Sequence, residues 1–225
     1  MLMKKIGRVA LAAGALCAAS LASATTVTLD FEGLQNRESV LGFYGGGAGS
    51  LGSTGVNYGI TFGDNALAAI DSDVVGPAGG SIGNEPSPST VLTFVRASAV
   101  LNISQGFTDY FSFYYSTVAA TGTIRVYDGE NATGNVIGVI DVLSLGATCS
   151  GDPTGQFCNW ALGNVFFDGT ARSIDFGGTA DQIVFDNVTF GNLSVPTGGG
   201  TTPEPMTLAL VGSALLALTV SRRRA

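Results

Sequence analysis

Thr25-Thr26-Val27-Thr28-Leu29-Asp30-Phe31-Glu32 alternates without a break, with Val27, Leu29 and Phe31 on one side and Thr28, Asp30 and Glu32 on the other. A two-residue period is that of a half-buried β-strand. Similar runs occur at 59–62, 91–96, 100–104, 110–116, 123–127, 136–143, 164–167, 173–176 and 182–190. Turn-forming clusters such as Asp128-Gly129 and Thr133-Gly134-Asn135 lie between them. No body segment keeps an apolar 3.6-residue period for three turns. The chain therefore reads as all-β, about ten short strands in an antiparallel β-sandwich of jelly-roll type.

Within that sandwich, 136–143 is apolar on both faces apart from Gly138 and Asp141, which suits a strand central to one sheet. Its expected hairpin partner is 123–127, joined across 128–135. The glycine-rich stretch 42–55 holds almost nothing to bury and is expected to be an exposed, mobile loop. Ile183 to Phe190 breaks the pattern, because strict alternation puts Asp186 on the face of Val184, Val188 and Phe190. An unpaired buried carboxylate is costly, so Asp186 calls for a cation, or for a bulge or edge where water reaches it.

Residues 25–200 hold 16 carboxylates, four arginines and no lysine, a net charge of −12, and the whole chain lacks histidine. That surface repels phosphate backbones and argues against nucleic acid as a partner. The missing histidine removes His-based triads and the usual zinc ligand sets. A body of this length can bury one sizeable core, so 25–194 is expected to be a single domain.

The ends read differently. Met1 to Arg8 is basic, Val9 to Leu21 is apolar, and Ala22-Ser23-Ala24 offers the small residues that a signal peptidase accepts, so 1–24 is expected to be a cleaved secretory signal. At the other end a flexible linker, 195–202, leads to Pro203-Glu204-Pro205, an apolar stretch at 206–220 and Arg222-Arg223-Arg224. As a helix that stretch would be about 22 Å long against a hydrocarbon core of ~30 Å, a marginal and transient inner-membrane anchor. Its arginines should stay cytoplasmic. This three-part end resembles the PEP-CTERM sorting signal of exosortase-dependent surface proteins in Gram-negative bacteria that make extracellular polysaccharide. The resemblance implies that an exosortase recognises Pro203-Glu204-Pro205 and removes the helix, leaving a secreted or surface-attached product. The body is similar to the glycine-rich β domains that precede such signals, through Asp30-Phe31-Glu32-Gly33-Leu34, Tyr58-Gly59-Ile60-Thr61-Phe62, Phe111-Ser112-Phe113-Tyr114-Tyr115 and Phe185-Asp186-Asn187-Val188-Thr189-Phe190. That similarity implies a fold and carries no catalytic residues with it.

Candidate sites are few. Gly47-Ala48-Gly49-Ser50-Leu51-Gly52 fits G-x-G-x-x-G, but no helix opens on its last glycine, so no nucleotide is expected. Asp71-Ser72-Asp73 begins like a calcium loop, yet Val75 and Ile82 stand where oxygen ligands belong, and a solvated acidic turn is expected instead. Nothing singles out a carboxylate pair for glycoside hydrolysis, so no catalytic residue is assigned. Tyr110, Tyr114, Tyr115, Tyr127 and Trp160 carry flat apolar faces on which sugar rings can stack. Cys149 and Cys158, the two body cysteines of an exported chain, flank a turn-rich loop and should form a disulfide. In jelly rolls the first and last strands commonly run side by side. Resemblance to calcium-holding carbohydrate-binding jelly rolls implies a structural calcium held by Glu32 and Asp186, with Asp30 and Asp181 as further ligands. The expected function is a non-enzymatic surface or matrix protein, an exosortase substrate associated with exopolysaccharide. The alternative is a carbohydrate-binding module, with a polysaccharide-active glycosidase or lyase behind both.

Overall fold

The computed structural model describes residues 24–96, 98–152 and 155–195. The expected secretory signal, most of the linker, Pro203-Glu204-Pro205, the apolar stretch and the arginine cluster lie outside the described residues. Within them the chain forms nine strands: β1 (Ala24–Leu29), β2 (Ile60–Phe62), β3 (Ala66–Ile70), β4 (Thr90–Phe94), β5 (Ser98–Thr117), β6 (Gly122–Tyr127), β7 (Val136–Val142), β8 (Ala161–Gly177) and β9 (Ile183–Ser194). Every strand pairing is antiparallel. The described helical structure is one four-residue turn at Ser72–Val75 and a 3-10 turn at Gly76–Ala78.

Two long strands make this a sandwich. β5 has 20 residues and β8 has 17, and each bends near its middle. The bends fall where the register shifts between Asn102 and Asp109, at Gly106 (φ 73°) and Gly169 (φ 94°), backbone conformations that glycine adopts without strain. One half of β5 pairs with β2 and with the end of β8, which continues to β6 and β7. The other half pairs with the start of β8 and with β9, which carries β1 and β4 on its far side. The expected pairs of short strands at 100–104 and 110–116, and at 164–167 and 173–176, are thus two bent strands that serve both layers.

Phe107, Phe111, Phe113, Phe176, Phe185 and Phe190 fill the space between the layers, all fully buried, with neighbouring ring centroids 5.0 to 6.3 Å apart. Aromatic pairs at this spacing add to the stabilisation from buried area.

Three expectations are corrected. First, β7 is not central: it pairs with β6, across the expected turn, and ends the strand order, with Val136 and Val139 about half exposed. Its second apolar face is surface. Second, 42–55 is not a loose exposed loop, because Phe43 and Tyr44 are buried in the core and the Tyr44 hydroxyl accepts the Phe31 N–H at 2.8 Å. Its chain also covers open strand edges, through Ile60 N–H to Tyr44 O and Phe62 N–H to Leu41 O. Third, strict alternation fails in β9. Asn187 takes φ 48° and the register to β5 shifts there, so Asp186 lies opposite Tyr114 while Phe185 and Phe190 point into the core. β3 is unexpected from sequence, since Ala66-Leu67-Ala68-Ala69-Ile70 shows no alternation; its outer side packs under a second apolar cluster of Ile82, Val91 and Val184 with Ala69, Phe157 and Trp160.

Candidate functional site

On the outer face of the layer that holds the second half of β5, the start of β8 and β9, register places Tyr110 opposite Phe166, Ser112 opposite Asn164 and Tyr114 opposite Leu162. At ~3.4 Å per residue this strip is about 14 Å long. Phe166 is 75% exposed, Leu162 54% and Tyr114 38%. The Phe166 and Tyr110 ring centroids are 5.9 Å apart and tilted by 46°. Gly191 on β9 is needed here, because a Cβ at that position would lie 2.6 Å from the Tyr110 ring. At the bend, Asp109 and Asp168 line an open hollow of about 500 Å³ together with Tyr110, Phe166 and Phe167. The Asn192 amide donates to the Asp109 carboxylate.

Of the five aromatics singled out in the sequence, Tyr110 and Tyr114 share this face. Tyr115 faces inward and is 6% exposed. Tyr127 belongs to the other layer, opposite Ser173 and Val136. Trp160 packs in the second apolar cluster and donates its indole N–H to the Gly83 carbonyl at 2.9 Å. Phe166 escapes sequence reasoning: it adjoins Phe167, and alternation alone does not say which ring faces water.

A second concavity of about 400 Å³ lies outside β3, β4 and β9, between Ala69, Val184, Ile82 and Phe157, with Arg37 and Asp181 also lining it. Asn36 fixes its wall, donating to the Ala78 carbonyl at 2.8 Å and accepting from the Ile70 N–H at 3.0 Å.

The acids expected to hold calcium make other contacts. Asp186 is fully buried; its carboxylate accepts the Ser87 N–H (2.7 Å), the Ser87 hydroxyl (2.6 Å) and the Asn187 N–H (2.6 Å). Glu32 accepts the Thr90 N–H (2.8 Å) and the Thr90 hydroxyl (3.2 Å). Asp30 is exposed, and Asp181 lines the second concavity. The donors on Asp186 and Glu32 take two or three of the roughly four lone-pair sites on each carboxylate, and they fasten the start of β4 and the segment before it to β9 and to the chain after β1, answering the buried charge with hydrogen bonds. Elsewhere Asp71, Asp73 and Asp152 bring one oxygen each within 4.8 Å of the others. Asp71 is not solvated as expected but 7% exposed, and it caps the turn at Ser72–Val75 through the Asp73 N–H.

Burial pushes Asp186 up to about 6, against the pull of the Ser87 and Asn187 donors and with the Glu32 charge adding to it. Burial likewise raises Glu32, Asp71, Glu85 and Asp175. A folded value above the unfolded one means that the associated stability is complete below the unfolded pKa, here 3.8, and is lost as pH rises through 6. Glu38 and Asp128 are lowered, and keep their share above the ordinary carboxylate range. Between pH 7.5 and 5.0 the raised group dominates. Stability is expected to increase by about 1.5 kcal/mol from Asp186 alone over that interval. Urea unfolding at the two pH values checks this, and a domain weaker at pH 5.0 would contradict it.

The chain matches no protein-family model and no curated protein. Among solved structures it is similar to a family 6 carbohydrate-binding module from Clostridium stercorarium in complex with cellobiose, with 18% identity over 59% of this chain and 86% of that one, at a TM-score of 0.35. It is also similar to a glycoside hydrolase family 43 arabinoxylan arabinofuranohydrolase from Bacillus subtilis in complex with cellotetraose (18% identity, 64% of this chain, 30% of that one, TM-score 0.38). A third likeness is to the CBM22-1 and GH10 modules of a Clostridium thermocellum xylanase complexed with xylohexaose (13% identity, 76% of this chain, 30% of that one, TM-score 0.36). At these scores the likenesses assign no site to this chain.

Proposed function

We propose that the domain is a non-catalytic glycan-binding module that holds polysaccharide on the strip from Tyr114 and Leu162 to Tyr110 and Phe166. The observation that carries this reading is Phe166, an aromatic ring 75% exposed on a strand and paired with Tyr110, both lining an open hollow. A large ring is kept in water only at a cost in buried area, and a ring on paired strands gives a sugar face a rigid apolar platform with polar rims. Residues 1–24 and 203–225 support the rest of the reading, export followed by exosortase sorting to the cell surface or matrix.

Affinity electrophoresis through soluble neutral polysaccharides tests the platform. The wild type is expected to be retarded, and Phe166→Ala to weaken binding about 30-fold, the loss of a ~2 kcal/mol anchor, while Tyr127→Ala on the other layer binds normally. Equal retardation of wild type and Phe166→Ala would sink the platform. For sorting, the intact mass of the exported protein should lack 206–225, and a mass retaining that segment would leave a plain membrane anchor.

A further inference from the structure

Two carboxylates beside the platform rings narrow the class of glycan, on the premise that the strip binds glycan at all. We infer that the hollow takes an amino-sugar polymer whose amines are free and protonated, that is, 2-amino-2-deoxyhexose units without their N-acetyl groups.

Asp109 and Asp168 are both exposed and line the same hollow as the Tyr110 and Phe166 rings. A carboxylate without its proton only accepts hydrogen bonds, so Asp109 and Asp168 offer acceptors to a ligand, and Asn192 already donates to one of them, Asp109. A uronic acid would bring a like charge against the two carboxylates. A neutral sugar would stack and donate hydroxyls but bring no charge to match the two carboxylates. A protonated amine supplies three donors and a positive charge, and it is attracted both by carboxylates and by ring faces within ~6 Å. The body strengthens the preference at long range: 25–200 carries −12 with no lysine, a field that draws polycations and repels polyanionic polysaccharide.

A matched series on one β-1,4 backbone tests this: cellotetraose, the N-acetylglucosamine tetramer and the glucosamine tetramer, titrated calorimetrically into the exported protein at pH 6. The glucosamine tetramer is expected to bind at least 10-fold tighter than the other two, with the advantage shrinking several-fold between 20 and 200 mM salt. Asp168→Asn should erase most of that advantage, and Phe166→Ala should weaken all three ligands. Equal affinity across the series, or an advantage that survives Asp168→Asn, overturns the amino-sugar inference and leaves the platform standing. Tight binding of the cationic tetramer that persists in Phe166→Ala and is displaced by spermine would reduce it to unspecific attraction by an acidic protein, and also overturns it. Binding of none of the three removes the platform reading, and the amino-sugar inference with it.

Discussion

Glu38→Ala is expected to lower the stability of the domain by about 4 kcal/mol, although Glu38 touches neither concavity. Its side chain is fully buried, one oxygen accepting the Gln35 N–H at 2.8 Å and the other the N–H groups of Leu51 (2.9 Å) and Ser53 (3.0 Å). Burial alone would push this carboxyl up, but the donors from Gln35, Ser53 and Leu51 outweigh it and hold it below its ordinary value. Removing the acceptor strands three backbone donors, at about 1–3 kcal/mol for each one kept from water, and water can reach the exposed Leu51 end. The fit has no slack either: a Cβ at Gly49 would come 2.4 Å from the carboxylate. Losing the knot releases the stretch that seats Phe43 and Tyr44 in the core and closes the edges of β2 and β3, including Ala68 N–H to Glu38 O and Val40 N–H to Ala66 O. Glu38→Gln keeps one acceptor and should cost about half as much. Urea unfolding of the three proteins decides the matter, and a loss under about 1 kcal/mol in Glu38→Ala would show that the loop holds itself.

Glu38 also shows where reading from sequence stops. Strand alternation is a local property, and it places β1 and β6 because each has one wet and one dry face, whereas β4 and much of β9 are dry on both sides. A buried carboxylate gathering donors from 3, 13 and 15 residues away leaves no local trace. The glycines of 42–55 signal a loop correctly, but whether Phe43 and Tyr44 within it turn inward is decided by tertiary packing. Asp186 is legible as a violation, and a bulge is among the remedies that its burial demands. That the bulge falls at Asn187 reflects the tolerance of asparagine for positive φ. At the platform, Tyr110 and Tyr114 lie four residues apart on one strand and so must share a face. Phe166 is assigned only by pairing with Tyr110 across the strands. The second concavity is invisible in the sequence, because it is assembled from β3, the 76–82 segment and the disulfide loop.

That loop carries the second large effect. Cys149 and Cys158 are bonded, with Cα atoms 5.6 Å apart, and Cys158 is 4% exposed. The bridge closes a loop of about ten residues, so a Cys149→Ser/Cys158→Ser variant is expected to lose about 3 kcal/mol through the greater freedom of its unfolded chain. The loss should also be localised. Beside Cys158, the Gln156 and Phe157 N–H groups donate to the Ser81 carbonyl, the Gly83 N–H donates to the Phe157 carbonyl, and Trp160 reaches the Gly83 carbonyl. These contacts, with the small cluster around Ile82, Val91 and Val184, share no buried residue with the phenylalanine core. Loosening the loop should therefore open the cover over β3, β4 and β9 before the sandwich itself unfolds. Trp160 is the sole tryptophan of the chain and reports on this directly. Its emission is expected to shift to the red in the variant without denaturant, while far-ultraviolet circular dichroism stays that of the folded sheets. Unchanged emission together with a stability loss below about 1 kcal/mol would mean that the hydrogen bonds hold the loop without the bridge. The same variant discriminates between the two concavities. Glycan affinity should survive it if the ligand lies on Tyr110 and Phe166, and should collapse if the ligand lies in the cleft that Phe157 walls.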